Sequence, residues 1–133
     1  MRKRTAMGVA VVLFIAVDAT ARRPAPHDFT GHWSGSIVAR GETFHATADI
    51  ASTRAARFQG HATVGGQSGS SPCGLRGKGG RRVKIVLRCD DGTRGRLSGA
   101  LDPTSNVITG VARLRDRRGG RARGPFTLTK DAG

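Results

Sequence analysis

Short runs in which apolar and polar side chains alternate make up most of the chain after residue 30. Stretches such as GRLSGALD at residues 95–102 and NVITGVARL at residues 106–114 show this period of two. Such a period is typical of β-strands that bury one face, whereas helices repeat their apolar residues every three or four positions. The pattern therefore predicts an all-β protein.

Eight runs of this kind are separated by turn-forming residues such as Arg40-Gly41 and Asp90-Asp91-Gly92. Their approximate bounds are 32–39, 43–52, 57–64, 73–78, 82–89, 93–101, 107–115 and 123–130. Because the connections are short, consecutive strands are expected to pair as antiparallel hairpins. We expect an eight-stranded antiparallel up-and-down barrel, since a meander that closes on itself leaves no free edge.

Two segments depart from this regular pattern. The glycine- and serine-rich residues 65–72 (GGQSGSSP) are predicted to form the one long, flexible connection. Pro125 lies inside the last run, where it has no N–H to donate to a strand ladder. Barrel closure is therefore expected either to be imperfect or to begin after Pro125.

The alternation also assigns each side chain to a face of the predicted barrel. Inward positions carry no charge, and outward positions collect the arginines, lysines, histidines and hydroxyls. The candidate ligand-binding residues of the interior are Trp33, Phe44, Phe58, Leu97, Ile108 and Phe126. Many inward positions are Gly or Ala, which fit either a filled, tightly bent barrel or a barrel with a small apolar pocket.

Cys73 and Cys89 fall on the inward face of adjacent predicted strands. They lie opposite each other if the turn between them centres near Arg81. An even cysteine count in a small exported domain predicts a disulfide, the alternative being two reduced thiols in the core. Closing a loop of about 15 residues stabilises a fold by roughly 3 kcal/mol in the chain-entropy model.

The first 21 residues have the features of a signal peptide. Arg2, Lys3 and Arg4 precede an apolar segment over residues 6–17, and Ala19-Thr20-Ala21 has the form of a cleavage site. The apolar segment is shorter than the roughly 20 residues that cross a bilayer, so we expect cleavage and no transmembrane span. The alternative is an uncleaved anchor. The expected organisation is a signal peptide at 1–21, a linker at 22–28 and a barrel at 29–130, in a protein that is periplasmic or secreted.

The chain is strongly basic, with a formal net charge of +14. Loss of the predicted signal peptide removes three positive charges and one negative charge, which leaves +12. The candidate residues for binding an anionic surface alternate along the outer side of successive strands: Lys84, Arg88, Arg94, Arg96, Arg113, Arg115, Arg121 and Arg123. Such a face suits an anionic envelope polymer or lipid, although a compositional bias toward arginine is the alternative. The aromatic residues point inward, so we expect no sequence-specific nucleic-acid binding.

No catalytic motif is complete in the sequence. Residues 73–79 (CGLRGKG) lack the first glycine and the final Ser or Thr of a phosphate-binding loop. His32, His45 and His61 project outward on the first three predicted strands, with His32 expected opposite about Ile50 and His61 opposite about Ala48. That stagger argues against a metal site. We expect no cofactor, no metal and no enzymatic activity.

The segment TGHWSG at residues 30–35 resembles the Gly-x-Trp motif that opens the first strand of calycin barrels, the lipocalins and avidins. In those families the tryptophan closes the floor of the barrel, which implies that role for Trp33. The chain also resembles small exported bacterial barrel proteins of unknown function. Avidins hold biotin with further tryptophans and a tyrosine, and this chain has one Trp and no Tyr, so biotin binding is not implied.

These observations predict an exported, non-enzymatic binding protein of the cell envelope. It would hold a small apolar ligand in the barrel or bind an anionic surface through its arginine-rich face. A second resemblance, to bacterial metalloprotease inhibitors, gives the alternative of a protein-binding module. In that family an N-terminal segment enters the protease cleft, a role that residues 22–28 would take here.

Overall fold

A computed structural model describes residues 28–54, 56–67 and 69–131, and within them it confirms the all-β fold. The eight strands are β1 (Gly31–Ala39), β2 (Glu42–Ser52), β3 (Arg57–Gly66), β4 (Gly69–Gly79), β5 (Arg82–Cys89), β6 (Arg94–Asp102), β7 (Val107–Arg115) and β8 (Arg121–Lys130). The described part contains no helix long and apolar enough to cross a membrane. The predicted signal peptide and all but one residue of the predicted linker lie outside the described residues.

Each strand pairs antiparallel with the next, and β1 pairs with β8 to close the barrel. The closing ladder runs from Ile37 opposite Phe126 to Trp33 opposite Lys130. It therefore begins directly after Pro125, which was the second of the two expected arrangements. Because the sheet closes on itself along this ladder, the paired parts of β1 and β8 are not free edges for another chain.

The prediction of a long flexible connection at residues 65–72 is wrong. β3 continues to Gly66 and β4 starts at Gly69, and these two residues pair with each other. The composition of this segment resembles a loop, but the ladder hydrogen bonds belong to the backbone and do not require apolar side chains. β3 and β4 consequently stay paired up to Gly66 and Gly69 at the end of their hairpin.

The predicted inward face forms the core. Its buried members include Trp33, Ile37, Ile85, Ile108 and Ala112, each no more than 1% exposed. No polar or charged residue among those described is buried. Outward positions on the same strands are exposed, as the period of two requires.

The predicted disulfide is confirmed. Cys73 on β4 pairs directly with Cys89 on β5, their Cα atoms 3.8 Å apart, and the two sulfurs are bonded. The bond joins two inward-facing positions near one end of the barrel. It cross-links the hairpin that turns at Gly80 and Arg81, where the sequence placed the turn.

Gly35 shows why small residues are needed inside this barrel. A Cβ atom at this position would lie 1.8 Å from the carbonyl oxygen of Thr127 on β8, which is backbone and cannot move aside. Gly74 on β4 provides a contrast, because a Cβ there would have its nearest neighbour 3.9 Å away. Glycine at position 35 therefore permits the close approach of β1 and β8 that closes the sheet.

We expect the substitution Gly35→Ala to lower the free energy of unfolding by about 1–3 kcal/mol, because the added methyl group overlaps backbone. The matched substitution Gly74→Ala is expected to change it by no more than about 0.5 kcal/mol. Urea unfolding monitored by circular dichroism measures both values. Equal stability of the two variants would contradict this account of barrel closure.

Candidate ligand-binding site

One end of the barrel, where β1 begins, is closed by three aromatic rings. Phe29 lies just before β1 and is 1% exposed. Its ring centroid is 6.2 Å from that of Trp33 and 4.6 Å from that of Phe58. The indole N–H of Trp33 donates a 2.9 Å hydrogen bond to the Phe29 carbonyl oxygen. These contacts form the barrel floor, and they give Trp33 the position that the Gly-x-Trp resemblance implies.

The backbone around Phe29 is hydrogen-bonded to the end of β2. The Phe29 N–H donates to the hydroxyl oxygen of Ser52 at 2.9 Å, and the Ser52 N–H donates to the hydroxyl oxygen of Thr30 at 2.9 Å. Asp28 accepts the Thr30 N–H, and this hydrogen bond lowers the pKa of the Asp28 carboxyl group. The segment that carries Phe29 is thus fixed across the floor.

The opposite end of the barrel is open and contains a cavity of about 560 Å³. Its apolar wall comes from inward-facing side chains on β2, β3, β5, β7 and β8, namely Phe44, Val64, Leu87, Leu114 and Ala122. The volume lies within the range of about 300–1,000 Å³ that is usual for small-molecule sites. The barrel is therefore filled at the floor and hollow at the mouth, which combines the two arrangements that the sequence left open.

Polar residues surround the mouth, and its carboxylates already have hydrogen-bond partners. Asp116 accepts the backbone N–H groups of Arg118 and Gly120 at 2.9 and 2.7 Å. Glu42 accepts the Gln67 N–H at 2.8 Å, and Asp91 accepts the Thr93 N–H at 2.9 Å. These acids hold the turns and hairpins of the rim in place.

The structure places the six predicted interior residues at different depths. Phe44 lines the cavity at the mouth. Trp33 and Phe58 form the floor with Phe29, and Leu97, Ile108 and Phe126 belong to the buried core. Their role in ligand binding stays a prediction. The remaining wall residues, Val64, Leu87, Leu114 and Ala122, are inward-facing residues close to the mouth ends of their strands, and that combination would have identified them.

The predicted arginine-rich face forms two adjacent rows on the outside of β5 to β8. The first row lies at the mouth end and is called here the rim arginines, Arg88, Arg94, Arg115 and Arg121, each paired with the next across neighbouring strands. The second row lies two residues further from the mouth on each strand and consists of Val86, Arg96, Arg113 and Arg123. All eight side chains are exposed, and Lys84 lies on β5 beyond the second row.

A surface hollow of about 620 Å³ lies over these two rows and is bordered by both. Within the part of the chain that the structure describes, none of its arginines forms an ion pair with a carboxylate. Val86 is 40% exposed beside them. The face is therefore a concentration of positive charge that no ion pair among residues 28–54, 56–67 and 69–131 compensates.

The predicted stagger of the histidines is wrong for two of them. His32 and His61 are the cross-strand neighbours of Asp49 on its two sides. His32, Asp49 and His61 therefore lie in one row across β1, β2 and β3. His32 Nδ1 is 2.8 Å from Asp49 and Nε2 is 3.4 Å from Asp131. The hydrogen bond to Asp49 raises the pKa of His32. No group of three or more potential metal ligands is found among the described residues.

No protein-family model matches the chain, and no curated protein matches it. Among solved structures, the chain is similar to EF1p2_mFAP2b bound to DFHBI, with a TM-score of 0.67, 11% identity, and coverage of 77% of this chain and 93% of that one. It is also similar to a de novo designed fluorescence-activating β-barrel, with a TM-score of 0.62, 11% identity, and coverage of 77% and 94%. A third similar structure is mFAP1, a redesigned barrel bound to DFHBI, with a TM-score of 0.57, 14% identity, and coverage of 76% and 94%. At these identities the likeness shows the barrel fold alone.

Proposed function

We propose that this protein is an exported, non-enzymatic binding protein of the cell envelope that takes a small, largely apolar ligand into the open end of its barrel. The observation that carries this proposal is the cavity of about 560 Å³ at the mouth, above a floor closed by aromatic rings. Its inner wall is apolar and its rim is polar, and small-molecule sites likewise combine an apolar lining with polar groups that orient the ligand.

The chemistry of the cavity favours binding over catalysis. A general acid or base must reach the reacting group within hydrogen-bond distance. The carboxylates at the mouth, Glu42, Asp91 and Asp116, each accept hydrogen bonds from backbone N–H groups of the rim. The inward wall below them is built from side chains such as Phe44, Val64 and Leu87, which carry no proton to transfer.

Two further observations support the proposal. Barrels of this fold have been solved with DFHBI bound, so the architecture accommodates a small ligand. The Cys73–Cys89 bond is compatible with export, because disulfides persist in oxidising compartments. The signal-like sequence of residues 1–21 gives the route.

Filling the cavity tests the proposal. Ala122 faces inward at the mouth, so Ala122→Phe places a ring inside the cavity, whereas Ala100→Phe adds the same ring on the exposed face of β6. We expect dodecanol, measured by displacement of an environment-sensitive dye, to bind the wild type and Ala100→Phe equally. Its affinity for Ala122→Phe is expected to fall roughly tenfold or more, because about 1.4 kcal/mol of lost contact is a factor of ten.

Absence of dodecanol binding to the wild type would contradict the proposal. Equal binding by both phenylalanine variants would also contradict it, because the probe would then occupy some other place. Urea unfolding of each variant serves as the control for an intact fold.

The rim arginines and the second row favour a second candidate function, attachment to an anionic envelope polymer. Their cross-strand spacing and lack of carboxylate partners present several positive charges to one polyanion at once. This function does not require the cavity. The protein-binding alternative stays a prediction, because it depends on residues 22–28, which lie almost entirely outside the described residues.

Polyphosphate is a suitable probe for this second candidate. The double substitution Arg96→Gln with Arg113→Gln removes two charges from the second row, and Arg57→Gln with Arg81→Gln removes two charges from the floor end. We expect the first pair to weaken binding more than the second at about 0.15 M salt, where distant charges are screened. Equal weakening by both pairs would mean that net charge alone attracts the polymer.

A further inference from the structure

We infer that the ligand is an anionic amphiphile, with its apolar chain in the mouth cavity and a phosphate-bearing head group on the rim arginines. This inference rests on the proposed function, since it requires that the cavity bind an apolar chain. It adds the chemistry of the head group and the side of the rim on which that group lies.

The cavity and the arginine-lined hollow adjoin each other. They share five wall residues, Leu87, Gly95, Leu114, Arg121 and Ala122. These residues lie on β5, β6, β7 and β8 close to their mouth ends. A molecule that leaves the cavity over this part of the rim therefore passes directly onto the arginine-rich face.

The rim arginines lie at the mouth ends of their strands. Arg94 and Arg121 are the first residues of β6 and β8, Arg115 is the last residue of β7, and Arg88 is the penultimate residue of β5. Side chains directly opposite on paired strands have Cβ atoms about 4.5–5.5 Å apart. Four arginine side chains thus follow one another on the outer side of the strands at their mouth ends, with Cβ spacing that lets neighbouring groups bind one phosphate. Of the four, Arg121 also lines the cavity.

No carboxylate among the described residues forms an ion pair with a rim arginine. The acids nearest to the row along the chain are Asp90, Asp91 and Asp116, and among the described residues none of them forms an ion pair with an arginine. Asp91 and Asp116 accept hydrogen bonds from backbone N–H groups of their own turns. Arg40 donates a hydrogen bond to the backbone carbonyl oxygen of Arg121, and no described carboxylate pairs with the Arg121 guanidinium. Like charges directly opposite on paired strands destabilise a sheet, and a bound anion would remove that repulsion.

The two sides of the rim differ in charge. On the β2–β4 side, the cavity is bordered by residues such as Glu42, Gly69, Ser70 and Ser71, which provide no positive charge. The β5–β8 side carries the rim arginines. A phosphate, which accepts several charge-assisted hydrogen bonds and carries more charge than a carboxylate, therefore fits the β5–β8 side.

Two probes with the same chain separate the head group from the tail. Dodecyl phosphate and dodecanol differ only at the head. The phosphate is used below its micelle-forming concentration and the alcohol below its solubility limit, both at about 0.15 M salt. We expect the phosphate to bind the wild type at least about tenfold more tightly than the alcohol, since its hydrogen bonds to the arginines are charge-assisted. Isothermal titration or dye displacement measures both affinities.

Matched variants locate the head group. The double substitution Arg94→Gln with Arg115→Gln is expected to remove most of the preference for dodecyl phosphate while the affinity for dodecanol stays unchanged. Arg57→Gln with Arg81→Gln removes the same charge at the floor end and is expected to preserve the preference. Ala122→Phe is expected to weaken both probes, because both chains occupy the cavity.

Each other outcome has a definite meaning. If dodecanol and dodecyl phosphate bind equally, or if the two arginine pairs have the same effect, the inference is wrong and the cavity function stands. If dodecanol does not bind at all, the proposed function itself fails. If dodecyl phosphate binding is unaffected by Ala122→Phe, the chain lies outside the cavity and the inference is again wrong.

Discussion

The packing of Phe29 against Trp33 and Phe58 is the contact on which the shape of this protein depends. A small barrel of eight strands has an interior that side chains alone can fill. Here the large rings are concentrated at one end, and Gly79 leaves room for them, since a Cβ at that position would lie 2.5 Å from the Phe29 ring. The other end stays open and has partly buried residues, Phe44, Val64 and Leu114. The closed floor thus gives the barrel a single direction, from aromatic core to accessible mouth.

The same division appears in the charge distribution. Inside, none of the buried residues that the structure describes is polar or charged. Outside, the strands β5 to β8 carry the rim arginines and the second row, in which arginines pair with arginines across β6, β7 and β8. Apolar wall and cationic surface meet at the lip of the cavity, where Arg121 and Leu114 border both hollows. A ligand with an apolar part and an anionic part fits this boundary better than a ligand with one of the two alone.

Much of the fold was predictable from the sequence, because period-two alternation and turn residues determine strands and faces directly. The pairing of Cys73 with Cys89 followed from the same argument. Register was less predictable. Placing His32 opposite Ile50 was wrong by one residue, since the two-residue turn at Arg40 and Gly41, both with positive φ, fixes Ala39 opposite Glu42 and hence His32 opposite Asp49.

The site was harder to predict than the fold. Phe29 closes the floor as a single residue before the first strand, where no periodicity marks it. The extension of β3 and β4 through glycine and serine residues depends on backbone pairing, which composition does not reveal. The cavity at the mouth follows from where large and small inward residues fall along the barrel axis. That distribution depends on register across all eight strands, so a list of inward-facing residues was not enough to locate it.

Chemical-shift mapping of the isotope-labelled protein with dodecanol tests most directly the claim that the floor is closed and the mouth binds. The account predicts the largest shifts at Val64, Leu87 and Leu114, which line the cavity. It predicts that the indole N–H of Trp33, bonded to the Phe29 carbonyl oxygen, does not shift. Largest shifts at Trp33 and Ile108 would contradict it, because the ligand would then have entered the part of the barrel that the aromatic floor fills.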